Sequence, residues 1–347
     1  MKLLFDRYTI RPRVAFAIAR GSTASYERVR IRLLDDAGVE GWGEAAPNAF
    51  YGESADTVVA AVPRLAAIAA KRPTIESLEE IDSLEEQMRT SLRGDASARS
   101  AVSAAAHDLL GKRTGAPVWQ MFGLDPMTCP PSSYTIVITP DEGELLARVA
   151  EARPFPILKV KLGSDRDEWI VRTVCRAAPN KLLRADANAA WDLDRATTMA
   201  RLLADNGFEF LEQPLPKDDL DGLRQLKARS PIPIIADESC VSASDIPRLD
   251  GVVHGINIKL SKCGGLAEAR RMALEARRRE MRVMIGCMVE SSLGITAAAQ
   301  VAPLTQYADL DGALLLRDDP FIGATILDGM VRLPGEPGLG VTTRQAS

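Results

Sequence analysis

Apolar and polar positions follow one rhythm in the first third of the chain and another from about residue 132. Residues 28–34 alternate as a strand, Asp35-Asp36-Ala37-Gly38 reads as a turn, and Glu40-Gly41-Trp42-Gly43-Glu44 reads as the hairpin partner. Ala-rich stretches near 55–70 and 96–112 carry helical periodicity. Strands followed by helices predict a separate α+β unit over residues 1–125.

Beyond it the pattern becomes strand, helix, strand. Short apolar or β-branched runs fall at 134–138, 157–162, 182–186, 208–212, 234–237, 255–260, 283–286 and 308–311. Amphipathic stretches such as 193–205 and 266–279 lie between them. Eight strands alternating with helices predict a closed β/α barrel over 126–317 rather than an open doubly wound sheet. The absence of a Gly-rich dinucleotide fingerprint or phosphate loop agrees. After Asp318-Asp319-Pro320 the rhythm stops, and the turn-rich segment 318–347 is expected to return to the N-terminal unit.

Three of the runs end in a single carboxylate: Leu183-Arg184-Ala185-Asp186, Phe210-Leu211-Glu212 and Ile235-Ala236-Asp237. The intervals are 212 − 186 = 26 and 237 − 212 = 25 residues. A strand with its returning helix takes roughly 25 to 30 residues, so these acids can occupy equivalent ends of successive parallel strands. A carboxylate after a buried run must be paired or bound to a cation. One such acid reads most simply as a helix cap or ion pair. Three at matched spacing, beside Asn188, Gln213-Pro214 and Glu238-Ser239, point to a metal. All-oxygen ligation with room for substrate and water points to Mg²⁺, one per subunit, with Mn²⁺ as a substitute.

Lys159 and Lys161 are two apart on one strand and so share a face, while Val160 faces the other way. In a barrel that shared face is the packed interior. An edge strand with solvated lysines would need a polar outer face, which Leu158, Val160 and Leu162 do not provide. Crowding by a second lysine and a dication is expected to lower a lysine pKa from about 10.4, into the range of a useful base. Lys259, closing Asn257-Ile258-Lys259, falls across the ring from Lys161. Two bases facing each other across a metal-held carboxylate can take an α-proton from one face and return it to the other, which is racemisation or epimerisation.

Composition narrows the partners. Against 43 Lys+Arg stand 47 Asp+Glu, a net charge of −4, which argues against nucleic acid and anionic membrane. Asp6 and Arg7 interrupt the opening apolar residues, and no apolar run reaches the roughly 18 residues of a membrane span. Five scattered cysteines without metal-binding pairs fit a reduced, cytoplasmic chain. His107 and His254 are the only histidines and read as structural or surface residues, which leaves little for histidine-centred catalysis.

Taken in order, Lys159-Val160-Lys161, Asp186-Ala187-Asn188, Leu211-Glu212-Gln213-Pro214, Ala236-Asp237-Glu238-Ser239 and Asn257-Ile258-Lys259-Leu260 resemble the enolase superfamily, in its muconate-lactonizing subgroup. The likeness runs from Gly41-Trp42-Gly43-Glu44-Ala45-Ala46-Pro47 to Pro337-Gly338-Leu339-Gly340. It implies an α/β fold: a modified (β/α)7β TIM barrel under an α+β capping domain that the tail completes. It also implies Lys161 and Lys259 as the acid/base pair and Lys159 as a holder of the substrate carboxylate. Asp186, Glu212 and Asp237 would hold Mg²⁺, with Glu238 and Asn188 supporting them.

Asp309-Leu310-Asp311-Gly312 resembles the dipeptide epimerases, in which such a pair holds the ammonium group of a dipeptide. Two carboxylates on one strand face suit a single cation, although alone the pair would read as a cap or loop. The loops 16–24 and 46–54 resemble those that choose the side chain in bacterial L-Ala-D/L-Glu epimerases. There Arg20 could fork onto a glutamate carboxylate or be a surface arginine. Tyr51 and Glu290 are further candidates for substrate binding. The resemblance thus leads to an Mg²⁺-dependent dipeptide epimerase acting on L-Ala-D/L-Glu from cell-wall peptides, and to a homo-oligomer. The alternatives are another dipeptide specificity, or a cycloisomerase or o-succinylbenzoate synthase-type lyase. Those lyases, like an N-acylamino-acid racemase, need no ammonium-binding pair. A non-catalytic barrel would retain no reason for the lysines and acids.

Overall fold

The computed structural model describes residues 1–344, so the last three residues of the tail lie outside the described residues. The N-terminal unit opens with β1 (Lys2–Ile10), a short hairpin of β2 (Phe16–Ile18) and β3 (Gly21–Thr23), then β4 (Tyr26–Leu34) and β5 (Glu40–Ala45). β1, β4 and β5 form an antiparallel sheet in that order. The expected hairpin is β4–β5, the central and one edge strand, with Leu34 opposite Glu40 and Val29 opposite Ala45. Val29, Ile31 and Leu33 are fully buried, as their alternation requires. Three helices follow: α1 (Ala55–Ala69), α2 (Leu78–Ser91) and α3 (Ala96–Thr114).

α3 is buried on nearly every side because Ala and Ser dominate its surface. It seats against β5 where that strand offers glycines. A Cβ on Gly43 would lie 2.0 Å from the Ala101 carbonyl oxygen, and one on Gly41 would lie 2.0 Å from that of Ala105. Gly43→Ala must therefore push the helix off the sheet. We expect it to cost about 1–3 kcal/mol or more, seen as a lower urea midpoint. An unchanged midpoint would contradict so close a seating.

The barrel strands are β6 (Tyr134–Ile136), β7 (Ile157–Lys161), β8 (Leu182–Asp186), β9 (Phe208–Glu212), β10 (Ile234–Ala236), β11 (Gly255–Ile258), β12 (Arg282–Gly286) and β13 (Tyr307–Asp309). They are hydrogen-bonded in sequence order and pair parallel. The ring closes where Ser133 N donates to Ala308 O (3.0 Å), next to a bridge between Ser132 and Ala308. β13 leads into a 3₁₀ turn, Asp311–Leu315, rather than a full helix, which gives the (β/α)7β form. The tail packs back on the first unit: the Phe321 ring lies 5.7 Å from that of Tyr8, and Leu339 N donates to Asp108 (2.7 Å). Among the described residues no helix is long and apolar enough to cross a membrane.

Three strands end earlier than their apolar runs. β10 stops before Asp237, β11 before Lys259, and β13 before Leu310. Lys259 is instead the N-cap of a short helix, Leu260–Cys263. Leu310 leaves the extended region (φ −119°, ψ 24°) to start the 3₁₀ turn. Asp309 and Asp311 therefore do not share a strand face, as their spacing had implied. Loops at the carboxyl ends of parallel strands turn as soon as the ladder is no longer needed, and apolar content does not mark that point.

Candidate active site

Inside the barrel Phe210, Ile235 and Met284 pack as an apolar floor with Tyr307. One pleat above them the same strands present charge: Phe210 and Glu212 face in, Leu211 faces out. Lys159 stands at the centre, fully buried. Its ammonium is 2.7 Å from Asp309 Oδ2, 2.7 Å from Glu212 Oε2 and 3.2 Å from Asp186 Oδ2. Lys161 Nζ donates to Asp186 Oδ2 at 2.7 Å. Val160 faces the surrounding helices, as expected.

On the opposite wall Lys259 Nζ donates to Asp237 Oδ2 at 2.8 Å. A lysine that the sequence reading passed over, Lys262, also holds Asp237. It donates to both its carboxylate and its carbonyl oxygen, and to the carbonyls of Asn257 (2.9 Å) and Cys240 (3.1 Å). Its signal was present: Lys262 follows Lys259 by three residues, one turn of the helix that Lys259 caps. Gln213 supports the same corner, its Oε1 accepting from Asp237 N (2.8 Å) and Ser239 N (3.2 Å). Asn188 (φ 47°), Ala189 (φ 63°) and Gln213 (φ 32°) adopt left-handed backbone directly after the acids that end β8 and β9, a placement that marks functional loops.

Charge balance sets the ionisation. Burial alone would raise the Asp186 carboxyl, but the ammoniums of Lys161 and Lys159 overcome it and hold it well below the usual range. Asp237 is likewise raised by burial and pulled far down by Lys259 and Lys262. Burial and the Asp186 charge push Glu212 up to about 7. Burial works against the charged forms of Lys159 and Lys259, yet Asp309 and Glu212 raise the first and Asp237 the second. Among the side chains alone, crowding by neighbouring lysines is outweighed by these carboxylates. Each of these two ammoniums lies within 2.8 Å of a carboxylate oxygen, and that attraction wins.

Among the described residues no three acidic, histidine or cysteine side chains are spaced as ligands of one ion, since the ammoniums sit between the acids. The donor chemistry nonetheless suits a hard dication. Asp186, Glu212 and Asp237 are all but fully buried. Buried acceptors around them, Glu212 Oε2, Asn188 Oδ1 and Glu238 Oε2, accept no hydrogen bond; the 2.7 Å approach of Lys159 to Glu212 Oε2 is not aligned as one. Orphaned buried acceptors call for a partner, and an oxygen-preferring cation would supply it.

Above this layer opens a cavity of about 280 Å³, walled by Lys161, Lys259, Asn188, Asp309, Asp311 and Arg20 among others. A larger cavity of about 860 Å³ lies between the tail and β1. It contains none of these residues, so the smaller one is the candidate site. Asp309 is committed to Lys159 and to the Ser133 hydroxyl (2.6 Å). Asp311 Oδ2 accepts from Thr135 N at 2.6 Å, and burial plus the Asp309 charge push its carboxyl up to about 7.

The other sequence candidates divide. Arg20 reaches the site but donates to Glu238 Oε1 (2.7 Å) and Asn188 O (2.8 Å), with its guanidinium over the Phe50 ring. Tyr51 packs edge-on against Phe50 and does not line the cavity itself, yet its hydroxyl lies close enough to Asp237, Glu238 and Glu212 for their charges to add to burial in pushing its pKa up. Glu290 is buried behind the wall, accepting from Met288 N (2.7 Å). Three capping-sheet residues that the sequence reading left unassigned hold the same loop. Tyr8 and Ser291 both donate to Glu44, and Arg28 donates to Val289 O.

Comparison with known proteins agrees along the whole chain. Residues 3–123 match the mandelate racemase / muconate lactonizing enzyme N-terminal domain, and 141–347 match the enolase C-terminal domain-like family. The chain is 38% identical to the L-Ala-D/L-Glu epimerase of Bacteroides thetaiotaomicron, over 98% of this chain and 88% of that one. A substrate-liganded L-Ala-D/L-Glu epimerase from Bacillus subtilis superposes with a TM-score of 0.92 at 29% identity, covering 99% and 100% of the two chains. A Cytophaga hutchinsonii dipeptide epimerase complexed with Mg and D-Ala-L-Val gives a TM-score of 0.92 at 28% identity, covering 99% and 95%.

Proposed function

The chain belongs to the mandelate racemase and muconate lactonizing branch of the enolase superfamily, and from that premise we propose that it is an Mg²⁺-dependent dipeptide epimerase acting on L-Ala-D/L-Glu. The carrying observation is the placement of Lys161 and Lys259. Lys161 ends the second strand of an eight-stranded ring, Lys259 directly follows the sixth on the opposite side, and both line one cavity. A Cα held between them loses its proton to one ammonium-forming base and regains one from the other, so its configuration inverts.

Asp186, Glu212 and Asp237 would hold Mg²⁺, which supplies positive charge beside the substrate carboxylate where negative charge develops. Glu238 and Asn188 support that corner, and Lys159 anchors the acids and the substrate carboxylate from below. Asp309 and Asp311 receive the dipeptide ammonium. Asp311 is the freer of the two for this role, since Asp309 already carries Lys159. The proposed setting, supported by the resemblance, is a cytoplasmic homo-oligomer acting on alanyl-glutamate from cell-wall peptides, with Mn²⁺ able to replace Mg²⁺.

The test is to block the ammonium. N-acetyl-L-Ala-L-Glu should be epimerised at least about 10²-fold more slowly than L-Ala-L-Glu, because the acids are left unpaired. Asp311→Asn should narrow that gap from the side of the free dipeptide. Equal rates on both substrates would favour an N-acylamino-acid racemase instead.

A further inference from the structure

The cavity contains a second arginine besides Arg20. Arg28, on β4 of the capping sheet, lines the same wall as Lys161 and Lys259 and is almost completely buried. A guanidinium removed from water needs its charge and its five N–H groups satisfied. Arg28 makes three hydrogen bonds, all to backbone carbonyls: Nε to Val289 O (3.0 Å), Nη2 to Val289 O (2.5 Å) and Nη1 to Glu27 O (2.9 Å). One N–H on each terminal nitrogen is left over, and no carboxylate is bonded to it. Arg20 differs in being partly exposed and already ion-paired to Glu238.

Resting on the dipeptide-epimerase reading, we propose that Arg28, rather than Arg20, receives the side-chain carboxylate of an acidic C-terminal residue. Two free N–H groups on adjacent nitrogens form a fork that matches a carboxylate. Tyr26 lies over the guanidinium at 4.8 Å and sets its plane. The bonds to Val289 O tie it to the loop after β12, so the receptor is fixed before substrate arrives. The surrounding wall includes Phe16, Ile18 and Val289, so the pair would form out of water, where a carboxylate is discriminated strongly from its amide. Glu44 and Glu290, which lie near enough to act on the Arg28 charge, are occupied by Tyr8 and Ser291 and by Met288 N.

The experiment compares L-Ala-L-Glu with L-Ala-L-Gln and L-Ala-L-Leu, following α-proton exchange in D₂O for the wild type, Arg28→Met, Arg28→Lys and Arg20→Met, each with Mg²⁺. The wild type should prefer Glu over Gln by about 10²-fold or more in kcat/KM. In Arg28→Met that ratio should fall to near one, with KM for L-Ala-L-Glu rising most. Arg28→Lys should recover only part of it, since a point charge cannot fork. Arg20→Met should leave most of the ratio in place.

The inference is overturned by an equal loss on Glu and Gln in Arg28→Met, which is the signature of a residue that only holds the loop. It is also overturned by collapse of the ratio in Arg20→Met alone. Should Arg28→Met fail to fold, Arg28→Lys with an unaltered ratio overturns it. Wild-type exchange on Gln and Leu without preference for Glu removes this inference and spares the epimerase. No exchange on any dipeptide removes both.

Discussion

Lys259→Met should abolish interconversion of epimers while leaving α-proton exchange from one of them, and Lys161→Met should leave exchange from the other. Each lysine serves one face of the substrate carbon, so a single lysine can take and return a proton on its own side without inverting the centre. Losing one general acid/base group is expected to cut epimerisation by about 10²–10⁴-fold. The site should survive each change, because each lysine shares its acid with another. Asp237 keeps Lys262 when Lys259 is lost, and Asp186 keeps Lys159 when Lys161 is lost. Proton NMR in D₂O, started separately from L-Ala-L-Glu and L-Ala-D-Glu, reads both effects. Variants that lose exchange from both epimers equally would show that the lysines act as one unit, and residual epimerisation in either would exclude it as one of the two bases.

Asp237→Asn should have the second largest effect, on stability and cation binding together. Asp237 neutralises two buried ammoniums, Lys259 and Lys262, both with almost no exposure. Removing one partner from a buried ion pair costs about 3–5 kcal/mol. The same carboxylate is a proposed Mg²⁺ ligand. Millimolar Mg²⁺ should therefore raise the thermal midpoint of the wild type, by mass action on the folded state, and leave that of Asp237→Asn unmoved. Equal Mg²⁺ stabilisation of both proteins would remove Asp237 from the ligand set. An unchanged midpoint in the variant without Mg²⁺ would mean that the lysines had found other acceptors.

The barrel was legible because its strands are short, mostly apolar or β-branched runs that alternate with amphipathic helices. β8 and β9 begin and end where their runs do. Asp186, Glu212 and Asp237 were legible because one spacing repeats between them, and Lys159 and Lys161 because an apolar strand gives lysines no other reason to be there. What was hidden depends on the third dimension. β1 lacks a sharp pattern, since much of it is exposed, whereas α2 was missed although Ile81, Leu84 and Met88 repeat at helical spacing on its buried side. Arg28 reads as one of several polar positions alternating along an ordinary strand, and nothing in the sequence says that its side chain crosses to the loop after β12. Asp311 was expected on a strand because apolar content does not reveal that Leu310 turns. The raised pKa of Lys159 follows from Asp309, which lies 150 residues further along the chain.

Epimerisation of an unblocked dipeptide at its C-terminal residue is tested most directly by isotope. The purified protein is incubated with Mg²⁺ and L-Ala-L-Glu in D₂O, and the product is separated and analysed by mass spectrometry and NMR. L-Ala-D-Glu carrying a single deuterium at the glutamyl Cα, with the alanyl Cα unlabelled, is the expected result. A glutamyl Cα that keeps its proton through prolonged incubation, or label at the alanyl Cα instead, would contradict two opposed lysines acting on the carbon beside the carboxylate.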